Sequence, residues 1–167
     1  KLLAEIDGAP MVRHVAEAMV KGGIRELVVV TGHEADAVTA ALSDLEAPGM
    51  VLRFVHNADF ADGQAGSVAT GVSALSNDVS GALIALGDMP FVSADLVAEM
   101  IQDHSGLGDH EMRISFPVYE GRRGNPVLWG RGFFEVLASL SGDIGGRRIL
   151  AENPAAVNSI SWTDDSI

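Results

Sequence analysis

The chain has 167 residues, 47% of them hydrophobic and 5% aromatic, with 19 glycines. That length and composition fit one α/β domain able to bury its own core, and exclude a disordered chain. A formal charge of −12 repels polyanions and so disfavours nonspecific nucleic-acid and acidic-membrane binding, and the lack of cysteine removes disulfides, thiolate metal sites and a cysteine nucleophile. A cysteine-free chain with no secretory signal is expected in the cytoplasm.

Lys1 is not an initiator, and the chain opens directly on apolar Leu2-Leu3, so a segment upstream of Lys1 is expected. Pro10 suits a helix's first turn, and Val12, Val15, Ala16 and Met19 follow at helical spacing until Gly22-Gly23. The β-branched run Leu27 to Val30 predicts a buried parallel strand, followed by the turn Thr31-Gly32-His33. A helix is predicted over Glu34 to Leu42, a strand over Val51 to Val55, a polar loop over Asn57 to Gln64, and a helix over Ser67 to Leu75.

Ala82 to Leu86 predicts a buried strand ending at Gly87-Asp88-Met89-Pro90, and Ser93 caps a helix through Gln102. Strands at Arg113 to Tyr119 and Pro126 to Trp129 flank the turn Glu120 to Gly124. Helices at Gly132 to Leu140 and Gly145 to Glu152 and a strand at Val157 to Ser161 complete the order. Alternating strands and helices imply a three-layer, mostly parallel sheet that binds ligands at the carboxyl ends of its strands.

Three turns carry chemistry. Asp88 follows a buried strand, where a carboxylate suits Mg²⁺, a cation held by one or two carboxylates, phosphate oxygens and water. The same residue could instead cap the next turn. Gly63-Gln64-Ala65-Gly66-Ser67 leads into a helix, whose free N–H groups attract phosphate or the polar edge of a base.

The third feature joins Gly121-Arg122-Arg123-Gly124-Asn125-Pro126 to Gly142-Asp143-Ile144-Gly145-Gly146-Arg147-Arg148. Arginine offers planar contacts to phosphate, and Asp143 offers a second carboxylate. The alternatives are a solvated hairpin tip and a helix N-cap. Five of the eleven Lys/Arg residues, Arg122, Arg123, Arg131, Arg147 and Arg148, fall in this stretch. His14, His33, His56, His104 and His110 include no pair at zinc-hydrolase spacing, and no G-x-S-x-G elbow occurs. Met19, Met100, Phe133 and Phe134 are expected in the core.

In this order the features resemble the MobA-like NTP transferases, and most of all the branch that contains molybdenum cofactor cytidylyltransferase. Lys1-Leu2-Leu3 with Gly8-Ala9-Pro10-Met11 is similar to the segment following that family's glycine-rich nucleotide loop. Val28 to Gly32 resembles its second strand and base-side turn, and Asn57 with Gly63 to Gly71 its nucleotide motif. Gly87-Asp88-Met89-Pro90 resembles its metal-binding turn. Gly121 to Leu128 with Gly142 to Gly145 resembles the molybdopterin branch, although the family usually has His where Asn125 stands.

The resemblance implies a Rossmann-like nucleotide-diphospho-sugar transferase fold of α/β/α layers. The chain would be a single nucleotidyltransferase domain over 1–167, with its first strand and L-A-A-G-x-S-x-R-M-G loop ahead of Lys1. It implies an acceptor phosphate attacking the α-phosphorus of a nucleoside triphosphate with release of pyrophosphate. Asp88 and Asp143 would hold Mg²⁺, and Lys1 would neutralise the triphosphate. Thr31, Gly32, Asn57, Gly66 and Ser67 would line the nucleotide, while Arg122, Arg123 and Asn125 would face the acceptor. CTP and molybdopterin are the expected substrates, with transient contact to a molybdoenzyme or its chaperone. The alternatives are GTP, a sugar-phosphate acceptor, or a non-catalytic nucleotide- or cofactor-binding chaperone module.

Overall fold

The computed structural model describes residues 1–141 and 146–167. A short hairpin comes first. Strands β1 (Glu5–Ile6) and β2 (Ala9–Pro10) pair antiparallel across Asp7 and Gly8, whose φ angles of 48° and 81° are both left-handed. Positive φ at both central residues matches the twist of a two-residue hairpin. Strands of two residues leave no alternation to read, which is why the sequence gives no sign of them.

Helix α1 (Met11–Lys21) buries Val12, Val15, Ala16, Ala18 and Met19, the stripe its spacing predicts. Strand β3 (Glu26–Thr31), helix α2 (Ala35–Leu42) and strand β4 (Val51–His56) form a βαβ unit, with β3 and β4 parallel from Glu26↔Val51 to Thr31↔His56. Helix α3 (Gln64–Ser73) starts three residues before its expected position, because Gly63 at φ 118° turns the chain directly into it. Strand β5 (Gly81–Ile84) leads through the Asp88 turn to helix α4 (Ala94–Gly106). The Ser93 hydroxyl accepts the Leu96 N–H, as expected of the cap.

Strand β6 (Ile114–Tyr119) is followed by β7 (Arg122–Arg123) and β8 (Val127–Gly130), then by helices α5 (Phe134–Ala138) and α6 (Gly146–Glu152) and strand β9 (Val157–Ser161). The expected α/β class and layering hold, but the sheet is mixed rather than mostly parallel. The return at Glu120 to Pro126 sends β8 back between β6 and β5, antiparallel to both, while β9 runs parallel to β6. Chain direction after a tight turn is a pairing decision that element order does not contain.

Alternation along β8 feeds two of the three core clusters among the described residues. Val127 and Trp129 of β8 pack with α3, α5 and α6 through Ala65, Val72, Leu137 and Ile149, whereas Leu128 packs with Val15 and Met19 of α1 and Leu96, Val97 and Met100 of α4. Met19, Met100 and Phe133 are core residues, as their helical positions predict.

Strands β3 and β5 carry an unexpected feature. Leu27 of β3 and Leu83, near Ala85, pack against the same α1 and α4 cluster, yet β3 pairs only with β4 and β5 only with β8. Each therefore has one edge without a strand partner among the described residues. Val28, Val29, Val30, Leu83 and Ile84 consequently stay partly exposed, where the sequence predicts full burial.

Helix α4 extends past its expected end and buries His104, which is 3% exposed. Asn158 Nδ2 donates to Ser115 Oγ at 3.3 Å and to Asp103 Oδ2 at 2.6 Å, and Ser115 Oγ lies 2.8 Å from His104 Nδ1. His104 Nε2 has no hydrogen-bond partner among the described residues, and the His110 ring lies edge-on at 6.1 Å. Burial first, and the nearby His110 second, hold the His104 pKa below its ordinary 6.5. The folded chain favours neutral His104, so its contribution to stability is complete above pH 6.5 and is lost as pH falls through the lowered folded value. The urea midpoint is expected to drop between about pH 7.5 and about pH 5.5, and to drop clearly less in His104→Asn. Equal drops in the two proteins would exclude His104 as the source.

Candidate active site

Strands β5 and β6 both run antiparallel to β8, so their carboxyl ends lie at the same sheet edge. The Asp88 turn follows β5 and the arginine turn follows β6, so topology places the metal and acceptor candidates at one edge.

Lys1 and Asp88 meet directly. Lys1 Nζ donates to Asp88 Oδ2 at 2.7 Å, with the two side chains 71% and 37% exposed. A pair this wet contributes about 0–1 kcal/mol to stability. Leu2 lies beside the turn, where a Cβ on Gly87 would come within 3.2 Å of Leu2 Cδ2. The backbone from Lys1 to Leu3 is held by the Ala4 N–H to Lys1 carbonyl bond and the Val12 N–H to Leu2 carbonyl bond.

The nucleotide candidates form a second group at the carboxyl ends of β3 and β4. The Asn57 N–H donates to the Thr31 carbonyl at 2.8 Å, and Asn57 Nδ2 donates to Ser67 Oγ at 3.1 Å. The Asp59 N–H donates to Asn57 Oδ1 at 3.1 Å, and a Cβ on Gly66 would lie 3.5 Å from Asn57 Nδ2. Thr31 and Asn57 are 6% exposed, buried by this network. Gly66 and Ser67 sit in the first turns of α3, so free N–H groups at that helix start face the same region. Thr31, Gly32, Asn57, Gly66 and Ser67 are thus brought together.

The acceptor candidates stand on the β6–β8 turn. Arg122 and Arg123 are exposed in β7, with Arg122 opposite Tyr119, Arg123 opposite Val118, and the Arg123 guanidinium 5.5 Å from the Phe116 ring centroid. Asn125 is half-buried, and Gly124 is covered by the Ile167 side chain. The arginine run does not form one patch. Arg131 donates to the Val79 carbonyl at 2.7 Å and lies over Phe134, while Arg148 pairs with Glu152 at 2.7 Å. Asp143 lies outside the described residues. No hydrogen bond or ion pair among the described residues joins the nucleotide group, the Lys1–Asp88 pair and the arginine turn.

Among the described residues no group of three or more His, Asp or Glu side chains could hold a metal by itself. A site with one exposed carboxylate suits a cation completed by phosphate oxygens and water, the usual arrangement for Mg²⁺. No helix among the described residues is long and apolar enough to cross a membrane.

Two features were not foreseen. Phe60 packs across Gly32 and stacks obliquely on His33, and Glu34 takes a left-handed φ of 54° beside them. A groove of about 650 Å³ runs from Thr31 along α2, lined by Glu34, Asp36, Thr39, Phe54 and His56. Its two carboxylates disfavour phosphate, and neither Lys1 nor Asp88 lines it.

Comparison with known proteins supplies the family. The MobA-like NTP transferase domain matches residues 1–157. The chain is 33% identical over 174 aligned positions to nicotine blue oxidoreductase of Paenarthrobacter nicotinovorans, covering 99% of this chain and 80% of that protein. It is 32% identical over 108 positions to the bifunctional protein GlmU of Bacillus cereus, covering 65% of this chain but only 22% of that longer protein. Among solved structures, a nucleotidyl transferase from Methanothermobacter thermautotroptrophicus superposes with a TM-score of 0.77 at 25% identity, covering 98% of this chain and 75% of that one. A manganese complex of Rv0371C from Mycobacterium tuberculosis H37Rv superposes with a TM-score of 0.75 at 22% identity, covering 96% and 80%. The family binds nucleoside triphosphates and phosphorylated substrates and generally works with divalent metal ions. With this fold and a family match over residues 1–157, the chain belongs to the MobA-like NTP transferase family and is a nucleotidyltransferase.

Proposed function

We propose that the chain acts as one domain that transfers CMP from CTP to molybdopterin in the cytoplasm, with release of pyrophosphate. The observation that carries this reading is the 2.7 Å pairing of Lys1 Nζ with Asp88 Oδ2 at the carboxyl end of β5, on the same edge as the arginine turn. An ammonium and a carboxylate side by side suit a triphosphate that arrives with its own cation.

In the proposed reaction an acceptor phosphate oxygen attacks the α-phosphorus of CTP in line, and the bond from that phosphorus to the β-phosphate bridging oxygen breaks. Positioning and charge neutralisation provide the acceleration. Asp88, with Asp143 as second carboxylate, would hold Mg²⁺, which supplies charge neutralisation between the nucleotide and the acceptor. Lys1 leaves Asp88 for the triphosphate oxygens. Thr31, Gly32, Asn57, Gly66 and Ser67 hold the nucleoside, with the half-buried Asn57–Ser67 bond fixing the loop before substrate binds. Arg122 and Arg123 hold the acceptor phosphate, and Asn125 lines that side. A molybdoenzyme or its chaperone would receive the product.

Asn125, where the family usually has His, leaves a sugar phosphate as the runner-up acceptor, and GTP is the runner-up nucleotide. Divalent-dependent pyrophosphate release, measured with CTP and GTP in turn against molybdopterin, is expected to favour CTP at least about tenfold, a difference of about 1.4 kcal/mol in transition-state binding. A preference for GTP would replace the cytidylyl assignment.

A second reading has its own observation, the 33% identity to a protein named as an oxidoreductase across 99% of this chain. On that reading the same edge serves an oxidation–reduction that consumes no nucleoside triphosphate, and no pyrophosphate is released. A non-catalytic cofactor carrier would bind nucleotide and do neither.

A further inference from the structure

We propose that Phe60 and His33 form an aromatic ledge on which the nucleotide base lies, and that Phe60 sets nucleotide affinity by stacking. The inference rests on the nucleotidyltransferase reading of the same site.

Phe60 is 40% exposed and the His33 side chain 79% exposed, although both belong to a chain with few aromatic residues. Their ring centroids lie 6.2 Å apart at 48°. Neither ring is placed there by chance packing of a loop. Phe60 opens the 3-10 turn Phe60–Asp62, anchored by the Asp62 N–H to Asp59 carbonyl bond. Its side chain lies across the bare α-carbon of Gly32, where an added Cβ would come within 2.5 Å of Phe60 Cβ and 2.6 Å of Cγ. Glycine at position 32 is therefore what lets the ring come down onto the end of β3.

His33 is aimed by its neighbours as well. Glu34 holds a left-handed φ of 54°, a conformation uncommon for a residue with a side chain, and its carboxylate lies 3.6 Å from His33 Nε2. Backbone strain of this kind concentrates where a ligand is clamped.

The ledge is continuous with the nucleotide group. Gly32 follows Thr31, whose carbonyl accepts the Asn57 N–H, and Asp59, which donates to Asn57 Oδ1, directly precedes Phe60. One connected unit thus presents hydrogen-bonding groups, free helix N–H groups and two partly uncovered rings. A nucleobase is the ligand that uses all of these, because every base offers a π-face to an aromatic side chain whatever its edge pattern. The ledge should therefore add affinity without choosing the base.

Calorimetric binding of CTP, GTP and inorganic tripolyphosphate, each with Mg²⁺, to the wild type, Phe60→Leu and Phe60→Tyr tests this. Leucine keeps the packing on Gly32 and removes the ring, whereas tyrosine keeps the ring. Phe60→Leu is expected to weaken CTP and GTP alike by roughly five- to fifty-fold and to leave tripolyphosphate unchanged, with Phe60→Tyr within about twofold of wild type. Unchanged CTP and GTP affinity in Phe60→Leu would overturn the ledge and leave the nucleotidyltransferase reading standing. Equal losses in Phe60→Leu and Phe60→Tyr would overturn it too, since packing and not stacking would then be responsible. A wild type that binds neither CTP nor GTP would overturn both.

Discussion

Asp88→Asn is expected to lower divalent-dependent pyrophosphate release by on the order of 10²–10³-fold while leaving the unfolding midpoint within about 2 °C of wild type. Asparagine keeps the size of the side chain and removes the charge that a cation requires. The folded chain loses little, because Asp88 is 37% exposed and Lys1, its ion-pair partner among the described residues, is 71% exposed. The two effects therefore separate, which a structural role for Asp88 as a turn cap would not allow. Stopped assays of pyrophosphate release beside a thermal melt make the comparison. Near-normal release from Asp88→Asn would remove Asp88 from the metal site and shift the charge work to Lys1 and the arginines.

Extension of the chain ahead of Lys1 by an apolar strand and a glycine-rich loop is expected to raise the thermal midpoint by about 10 °C or more and to tighten nucleotide binding at least about tenfold. The reason lies in the sheet. Strands β3 and β5 pack beneath α1 and α4 with no hydrogen bond between them, and each has an unpaired edge among the described residues. A strand paired to both edges would cover Val28, Val29, Val30, Leu83 and Ile84, which remain partly exposed. Covering a side chain of this kind fully is worth about 1.5–3 kcal/mol, and each kcal/mol moves the midpoint of a chain this size by roughly 2–4 °C. The loop after such a strand would arrive at Lys1, Leu2 and the Gly87 backbone, adding N–H donors where the triphosphate is proposed to lie. Differential scanning calorimetry on the extended and original chains checks the first part. An unchanged midpoint would mean that the two edges do not share a strand.

Much of the fold was legible because strong periodicity survives folding. The Val12, Val15, Ala16 and Met19 stripe, the β-branched run of β3 and the Ser93 cap all lie where local chemistry puts them. What escaped was nonlocal. The antiparallel entry of β8 depends on which neighbour it finds, and the incomplete burial of β3 and β5 depends on what lies between them. His104 reads as a loop residue until α4 is seen to run to Gly106 and to set it against Ser115 and Asn158 from two other elements.

The site was legible for a different reason. Nothing in spacing alone brings Lys1 to Asp88, 87 residues away; family resemblance names each residue separately, and their pairing is visible only in the fold. Asn57 with Ser67 sits at the boundary between the two routes, ten residues apart across a glycine-rich helix start. Linear clustering misled once, since Arg131 and Arg148 turn to the Val79 carbonyl and Glu152 rather than join Arg122 and Arg123. The Phe60–His33 pair left no sequence signal beyond an aromatic in a polar loop and a glycine ahead of a histidine.

The most direct test of nucleotidyl transfer is to follow the α-phosphate itself. CTP labelled at the α-phosphorus is incubated with Mg²⁺ and molybdopterin, and the products are resolved. The predicted result is label covalently joined to the acceptor in step with pyrophosphate release, abolished by chelation. Label left on intact CTP, with no pyrophosphate released, would contradict the proposed transfer.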